Sequence, residues 1–136
     1  YLILHESAGL LRRGRGRSIV NVSSINPQLG VPRRSIYSAS KSGILGLTTG
    51  LARELGKDGI RINAVTPGWV FTEGQTAEYF EGDSAEQNLR HLAEVQSLVV
   101  KIAPSDIANH VLFFLSDVSR ASTGSNLVVD AGWTLQ

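Results

Sequence analysis

Three short apolar runs, each closed by turn-forming residues, alternate along this chain with longer segments of helical period. Residues 18–23 read Ser-Ile-Val-Asn-Val-Ser and run into a Ser, Asn, Pro and Gly cluster. Residues 60–65 read Ile-Arg-Ile-Asn-Ala-Val and stop at Thr66-Pro67-Gly68, and residues 126–130 supply the third run. β-branched runs bounded in this way predict buried strands. Strands that alternate with helices form parallel sheets covered on both faces, so the expected class is α/β.

The intervening segments carry their own signals. In residues 1–11, Leu4, Ala8 and Leu11 fall on one helical face, with no capping residue ahead of them. Residues 12–17 hold Arg12, Arg13, Arg15 and Arg17 and are predicted to be a solvated loop rather than a phosphate-contacting patch. Apolar residues recur at Ile44, Leu47, Leu51 and Leu55, predicting a helix over 35–55 with Gly56 at its C-cap. Gly43, Gly46 and Gly50 each lower helix propensity by about 1 kcal/mol against alanine, which predicts a close-packed neighbour, either a helix or a partner subunit. Residues 69–102 are polar and weakly periodic, a candidate mobile lid, within which 84–96 predict an amphipathic helix with Leu89, Leu92 and Val95 inward. Pro104 suits the first turn of a further helix, with Asp106 near its positive end and Ile107, Val111 and Leu115 on one face.

Thirteen basic and twelve acidic residues give a net charge of +1, which indicates neither nucleic acid nor an anionic membrane as a partner. No apolar run approaches the roughly 20 residues that span a bilayer, and no signal-peptide pattern opens the chain. With no cysteine there is no disulfide framework and no thiolate chemistry. A cytoplasmic protein is expected. His5, His91 and His110 are too scattered for a metal motif, so surface histidines and no metal are expected. Three strands fall short of the about six in a doubly wound sheet, and the chain starts at Tyr1 and has no methionine. The expectation is therefore a piece of a longer protein, lacking on the order of 100 residues upstream.

One pair of residues carries chemistry. Tyr37 and Lys41 are four residues apart, on one face of the predicted helix. A nearby ammonium favours the phenolate form of a tyrosine that ordinarily titrates near 10, which suits Tyr37 to general acid/base work. Three tyrosines and three lysines would give only about 0.07 such pairs by chance. Ser24, just past the first strand, could bond a substrate oxygen, although a strand-end serine is usually turn chemistry.

Ile19-Val20-Asn21-Val22-Ser23-Ser24, Tyr37-Ser38-Ala39-Ser40-Lys41, Arg61-Ile62-Asn63-Ala64-Val65-Thr66-Pro67-Gly68 and Val128-Val129-Asp130-Ala131-Gly132-Trp133 together resemble the short-chain dehydrogenase/reductases, in order and spacing. The resemblance implies the C-terminal half of a doubly wound, Rossmann-type parallel sheet. It implies that Tyr37 passes a proton to or from the reacting oxygen, while Lys41 assists Tyr37 and bonds the nicotinamide ribose of NAD or NADP. Ser24 would hold the substrate oxygen. Pro67, Gly68, Val70 and Thr72 match the loop beside the nicotinamide, and Asn63 looks structural. The family's Gly-rich turn, its coenzyme-selecting residue and its helix asparagine have no counterpart in these residues, which implies weak dinucleotide binding by the chain as written.

Pro67-Gly68-Trp69-Val70-Phe71-Thr72-Glu73 and the Val129-to-Trp133 stretch are similar to the branch that oxidises aldoses and polyols, with Trp69 stacking on a sugar and Glu73 or Gln75 bonding hydroxyls. A 3-oxoacyl thioester or another secondary alcohol is the alternative substrate. A second class of reading is a non-catalytic assembly module. In the family, the helix ending near Leu11 and the Tyr37 helix commonly pack across a two-fold axis, so a homodimer or homotetramer is expected.

Overall fold

The computed structural model describes residues 2–14 and 16–135. Tyr1, Arg15 and Gln136, with the side chains of Leu2, His5 and Ala8, lie outside the described residues. In chain order the elements are α1 (Leu2–Arg13), β1 (Ser18–Val22), α2 (Asn26–Leu29), α3 (Ser35–Leu55), β2 (Arg61–Pro67), α4 (Glu73–Tyr79), α5 (Ala85–Val95), α6 (Pro104–Leu115) and β3 (Asn126–Val129). Among the described residues the strands form one parallel sheet in the order β1-β2-β3, with Ile19 opposite Ile62 and Val65 opposite Leu127.

Alternating side chains along each strand decide what covers the sheet. Ile19 and Ile62 point to the face where Leu47, Leu51, Ala52 and Leu55 of α3 pack, joined by Leu4 and Leu11 of α1. Ser18, Arg61 and Asn63 point the other way. Ser18 Oγ donates to the Phe114 carbonyl at 2.8 Å, and Arg61 donates to the Ser116 and Ser119 carbonyls at 3.0 and 3.1 Å, so α6 covers this face. Asn63, fully buried, donates to the Ser122 carbonyl and accepts from the Ser125 N–H, as its structural reading requires.

Several details depart from expectation. Helix α1 runs on through Arg13, so Arg12 and Arg13 are helical rather than loop residues. Arg12 pairs with Asp58 at 2.7 Å, and Arg17 donates to the Asp58 carbonyl, which ties this basic stretch to the turn after α3. Gly56 is not the left-handed cap: its φ is −60°, and Gly59, three residues on, takes φ +70° after one turn of 3-10 helix. Strand β1 is half-buried and its Val22 is 43% exposed, because only β2 pairs with it among the described residues. Residues 69–102 contain α4 as well as α5, and on α5 Leu92 is buried while Leu89 faces outward. On α6 the buried residue is Phe114; Leu115 is 43% exposed, although Asp106 caps the helix as expected by accepting from the Ala103 N–H at 2.7 Å. Nothing lies within 4 Å of a Cβ built on Gly43, Gly46 or Gly50, so no described element of the chain covers that stripe.

No helix among the described residues is long and apolar enough to cross a membrane. In the protein that carries this chain, Phe114→Ala should cost about 3–5 kcal/mol of stability. Leu115→Ala should cost less than about 1 kcal/mol. Chemical denaturation of the two variants compares them directly, and equal losses would contradict the burial of Phe114.

Candidate active site

Strands β1 and β2 both end at the same edge of the sheet, where ligands of open α/β sheets bind. A cavity of about 630 Å³ lies there. The residues expected for catalysis and coenzyme binding line it, and Trp69 with them: Ser24 after β1, Tyr37 and Lys41 from the first turns of α3, and Pro67, Gly68, Trp69, Val70 and Thr72 after β2.

The local bonding shows how the trio is held. Lys41 Nζ donates to the Val22 carbonyl at 3.0 Å, and Ser23 Oγ donates to the Lys41 carbonyl at 2.9 Å, which ties the helix to the end of β1. Lys41 Nζ stands 5.7 Å from the centroid of the Tyr37 ring. The Tyr37 side chain is exposed toward the cavity rather than packed in the core, at 40%. Tyr37 also sits at the third position of a 21-residue helix whose N-terminus has no side-chain cap, so the positive end of the helix dipole lies beside it. Ser24 does both things expected of it. It accepts from the Asn26 N–H at 3.2 Å, as a turn serine does, and it lines the cavity.

The loop after β2 is fixed by close approach. A Cβ on Gly68 would stand 2.8 Å from Asp130 Cα, so only glycine lets the β2 and β3 ends come together. Asp130, itself buried, accepts from the Gly132 and Thr134 N–H groups at 2.9 and 2.8 Å. Val70 bridges to Ile102, and the Phe71 N–H donates to the Ile102 carbonyl, which anchors the loop to the entry of α6.

Trp69 belongs to an aromatic cluster. Its ring lies 4.9 Å from Phe80, 5.4 Å from Tyr79 and 6.3 Å from Trp133, and its Nε1 donates to Gln75 Oε1 at 2.9 Å. Gln75 lines the cavity, whereas Glu73 does not. The carboxylate half of the hydroxyl-bonding expectation is therefore corrected: as the first residue of α4, Glu73 is exposed outside the lining. The lining residues that went unread as site residues include Arg34, Tyr79, His91 and Trp133. Arg34 could have been found, since it stands three residues before Tyr37 and so one turn away. Tyr79 and His91 come from α4 and α5, and only the fold brings them here. His91 is exposed, as expected of it, yet its ring lies edge-on to Trp133 at 5.7 Å; His110 is half-buried beside the Asp106 carbonyl, which corrects its surface reading. Among the described residues no cluster could hold a metal ion.

Comparison with known proteins agrees with this geometry. A family model described as enoyl-(acyl carrier protein) reductase matches residues 1–134. The chain is 38% identical over 125 residues to D-xylose 1-dehydrogenase of Caulobacter vibrioides, covering 92% of this chain and 48% of that protein. It is 35% identical over 133 residues to the L-rhamnose 1-dehydrogenase (NAD(P)(+)) of a Sphingomonas species, covering 97% and 50%. A solved 4-hydroxyisoleucine dehydrogenase complexed with NADH superposes with a TM-score of 0.89 at 36% identity, covering 99% of this chain and 54% of that one. The chain belongs to the short-chain dehydrogenase/reductase family, and its parallel α/β fold is part of the family's Rossmann-type sheet. It spans about half the length of the relatives it matches.

Two outcomes are expected. Gly68→Ala should lower stability by about 1–3 kcal/mol, read by denaturant titration, because its methyl meets backbone; an unchanged midpoint contradicts the close approach. The Tyr79 phenol is held above its ordinary 10, first by its hydrogen bond to Glu78, then by desolvation, with Arg34 acting in the opposite direction. A phenol that holds its proton more tightly when folded adds stability below pH 10, lost as pH rises through the folded value. Glu78→Gln should therefore shift the Tyr79 step of an alkaline absorbance titration to lower pH, and a shift upward contradicts the Glu78 bond.

Proposed function

We propose that the protein carrying this chain is an oxidoreductase that moves a hydride between a nicotinamide coenzyme and a secondary alcohol or carbonyl, with sugars and polyols as the first substrate class. The observation that carries this reading is the convergence of Ser24, Tyr37 and Lys41 on one cavity with the Pro67-to-Thr72 loop, at the strand ends where such ligands bind. The cavity volume of about 630 Å³ falls within the range of small-molecule sites. The relatives named for xylose and rhamnose support a sugar ahead of a thioester.

The donor set fits the coenzyme. Val22, Pro67 and Val70 give an apolar wall suited to a flat ring, and Lys41 spends one N–H on the Val22 carbonyl and keeps two for a ribose. Tyr37, Lys41, Pro67, Gly68, Val70 and Thr72 are the residues that would hold NAD or NADP, which supplies or accepts the hydride. Ser24 donates its hydroxyl proton to the reacting oxygen and fixes its position. Tyr37 gives its phenolic proton to that oxygen on reduction and takes it back on oxidation. The Lys41 ammonium and the positive end of α3 favour the negative charge that forms on the phenol oxygen between these steps. Trp69 and its aromatic neighbours wall the substrate side, and residues 69–102 act as a lid whose base is anchored at the Val70–Ile102 bridge.

The uncovered Gly43, Gly46 and Gly50 stripe supports a homodimer or homotetramer packed through α3. A cytoplasmic location completes the reading, with the coenzyme drawn from the surrounding solution. In the protein that carries this chain, Tyr37→Phe should lower kcat/KM by about 10² to 10⁴, followed as reduced-nicotinamide absorbance with an aldose panel. Ser40→Ala, which removes only a hydroxyl bonded to the Tyr37 carbonyl, should leave the rate within about twofold. A Tyr37→Phe enzyme that works at the parent rate overturns the acid/base role.

A further inference from the structure

The charge and bonding of the substrate side narrow the substrate further, on the footing of the oxidoreductase reading above. Arg34 and Lys41 line the cavity, and among the described residues no aspartate or glutamate does. Lys41 faces the end of β1 and the Tyr37 ring. Arg34 lies a turn earlier, at the N-cap of α3, and has no role in the proton transfer.

A neutral polyol presents many O–H donors, and a site built for one supplies acceptors to receive them. Among the described lining residues the side-chain acceptors, such as Ser24, Asn26, Thr72 and Gln75, are all neutral. Gln75 Oε1 is occupied by Trp69 Nε1, and Glu73 stands outside the lining. An anionic group presents the opposite demand, and Arg34 meets it. Among the described residues no carboxylate pairs with Arg34. It shares the cavity wall with Tyr79 of α4, and its charge favours the ionised form of that phenol. Its five N–H groups form a donor fork of the shape that grips a carboxylate in two parallel bonds. The uncapped first turn of α3 adds its positive dipole end on the same side. The residue just before, Arg33, has φ +62°, a left-handed conformation uncommon for a bulky side chain, which turns the chain so that Arg34 enters the cavity wall.

We propose that the substrate is a hydroxy acid or its keto acid, sugar acids included, and that Arg34 binds its carboxylate. Two pairs of probes differ in a carboxylate while keeping the reacting group: D-galacturonate against D-galactose, and 3-hydroxybutyrate against 2-butanol. In the protein that carries this chain, kcat/KM should favour at least one acid over its neutral partner by more than about tenfold. Arg34→Met should lower turnover of that acid about ten- to hundredfold, mainly through KM, leave the neutral partner within about twofold, and be partly rescued in Arg34→Lys. Both tryptophans of the chain line the cavity, so their fluorescence reads acid binding independently of turnover. Neutral probes used as well as the acids, or an acid affinity unchanged in Arg34→Met, or no acid binding at all, overturns the proposal. Acid binding that depends on Arg34 without turnover of any probe keeps the Arg34 site and overturns the oxidoreductase reading instead.

Discussion

Strand β2 is the constraint on which the rest depends. It pairs with a neighbour on each side, and Ile62, Asn63, Ala64, Val65 and Thr66 have no exposed surface at all. A strand buried on both faces must satisfy its polar side chains internally or lose the cost of desolvating them. Asn63 does so by bridging the Ser122 carbonyl and the Ser125 N–H, and Thr66 by bonding Asn126. The two polar residues therefore lock the chain leading into β3 and β3 itself onto β2. The register that results sets Gly68 against Asp130, where only glycine fits.

The cavity inherits its precision from that arrangement. Ser24 leaves β1 and Pro67 leaves β2 at adjacent strand ends, because the parallel register aligns Val22 with Val65. Helix α3 then enters from the side, held by Lys41 to the Val22 carbonyl and by Ser23 to the Lys41 carbonyl. Asn21 adds a third tie, donating to Thr48 at 2.9 Å two turns further along. The groups proposed to transfer the proton thus stand on a strand end and a long helix, while the aromatic groups of the cavity wall stand on the loop after β2, on α4 and after β3. That division suits chemistry kept constant while the substrate contacts vary.

The strands and α3 were legible because their signals are local. β-branched runs ending in Pro or Gly, and apolar residues at helical spacing through Leu55, need no tertiary information. The Tyr37 and Lys41 pair was legible for the same reason, since four residues on a helix bring two side chains to one face. What failed depended on the rest of the molecule. Leu89 and Leu115 satisfy helical periodicity but face outward: on α5 Leu92 is buried as expected, whereas on α6 Phe114 takes the inward place instead of Leu115. Gly56 occupies the position of a helix cap, yet the chain spends another 3-10 turn before Gly59 reverses it. Tyr79 and His91 gave no signal, because nothing in their own segments says which way α4 and α5 fold over the strand ends.

The aromatic residues on the substrate side shift the argument about specificity from Trp69 to Arg34. Trp69, which lines the cavity, is held in place by Tyr79, Phe80 and Trp133 around its ring and by its indole N–H on Gln75. A ring so held is a fixed part of the wall. A guanidinium bordering an apolar wall attracts an anion more strongly than one surrounded by solvent. Tyr79 lies in the lining with both: its ring contacts Trp69, and the Arg34 charge favours its phenolate form. The apolar wall and the charge therefore border the same cavity, which suits a ligand with an anionic end and a carbon frame.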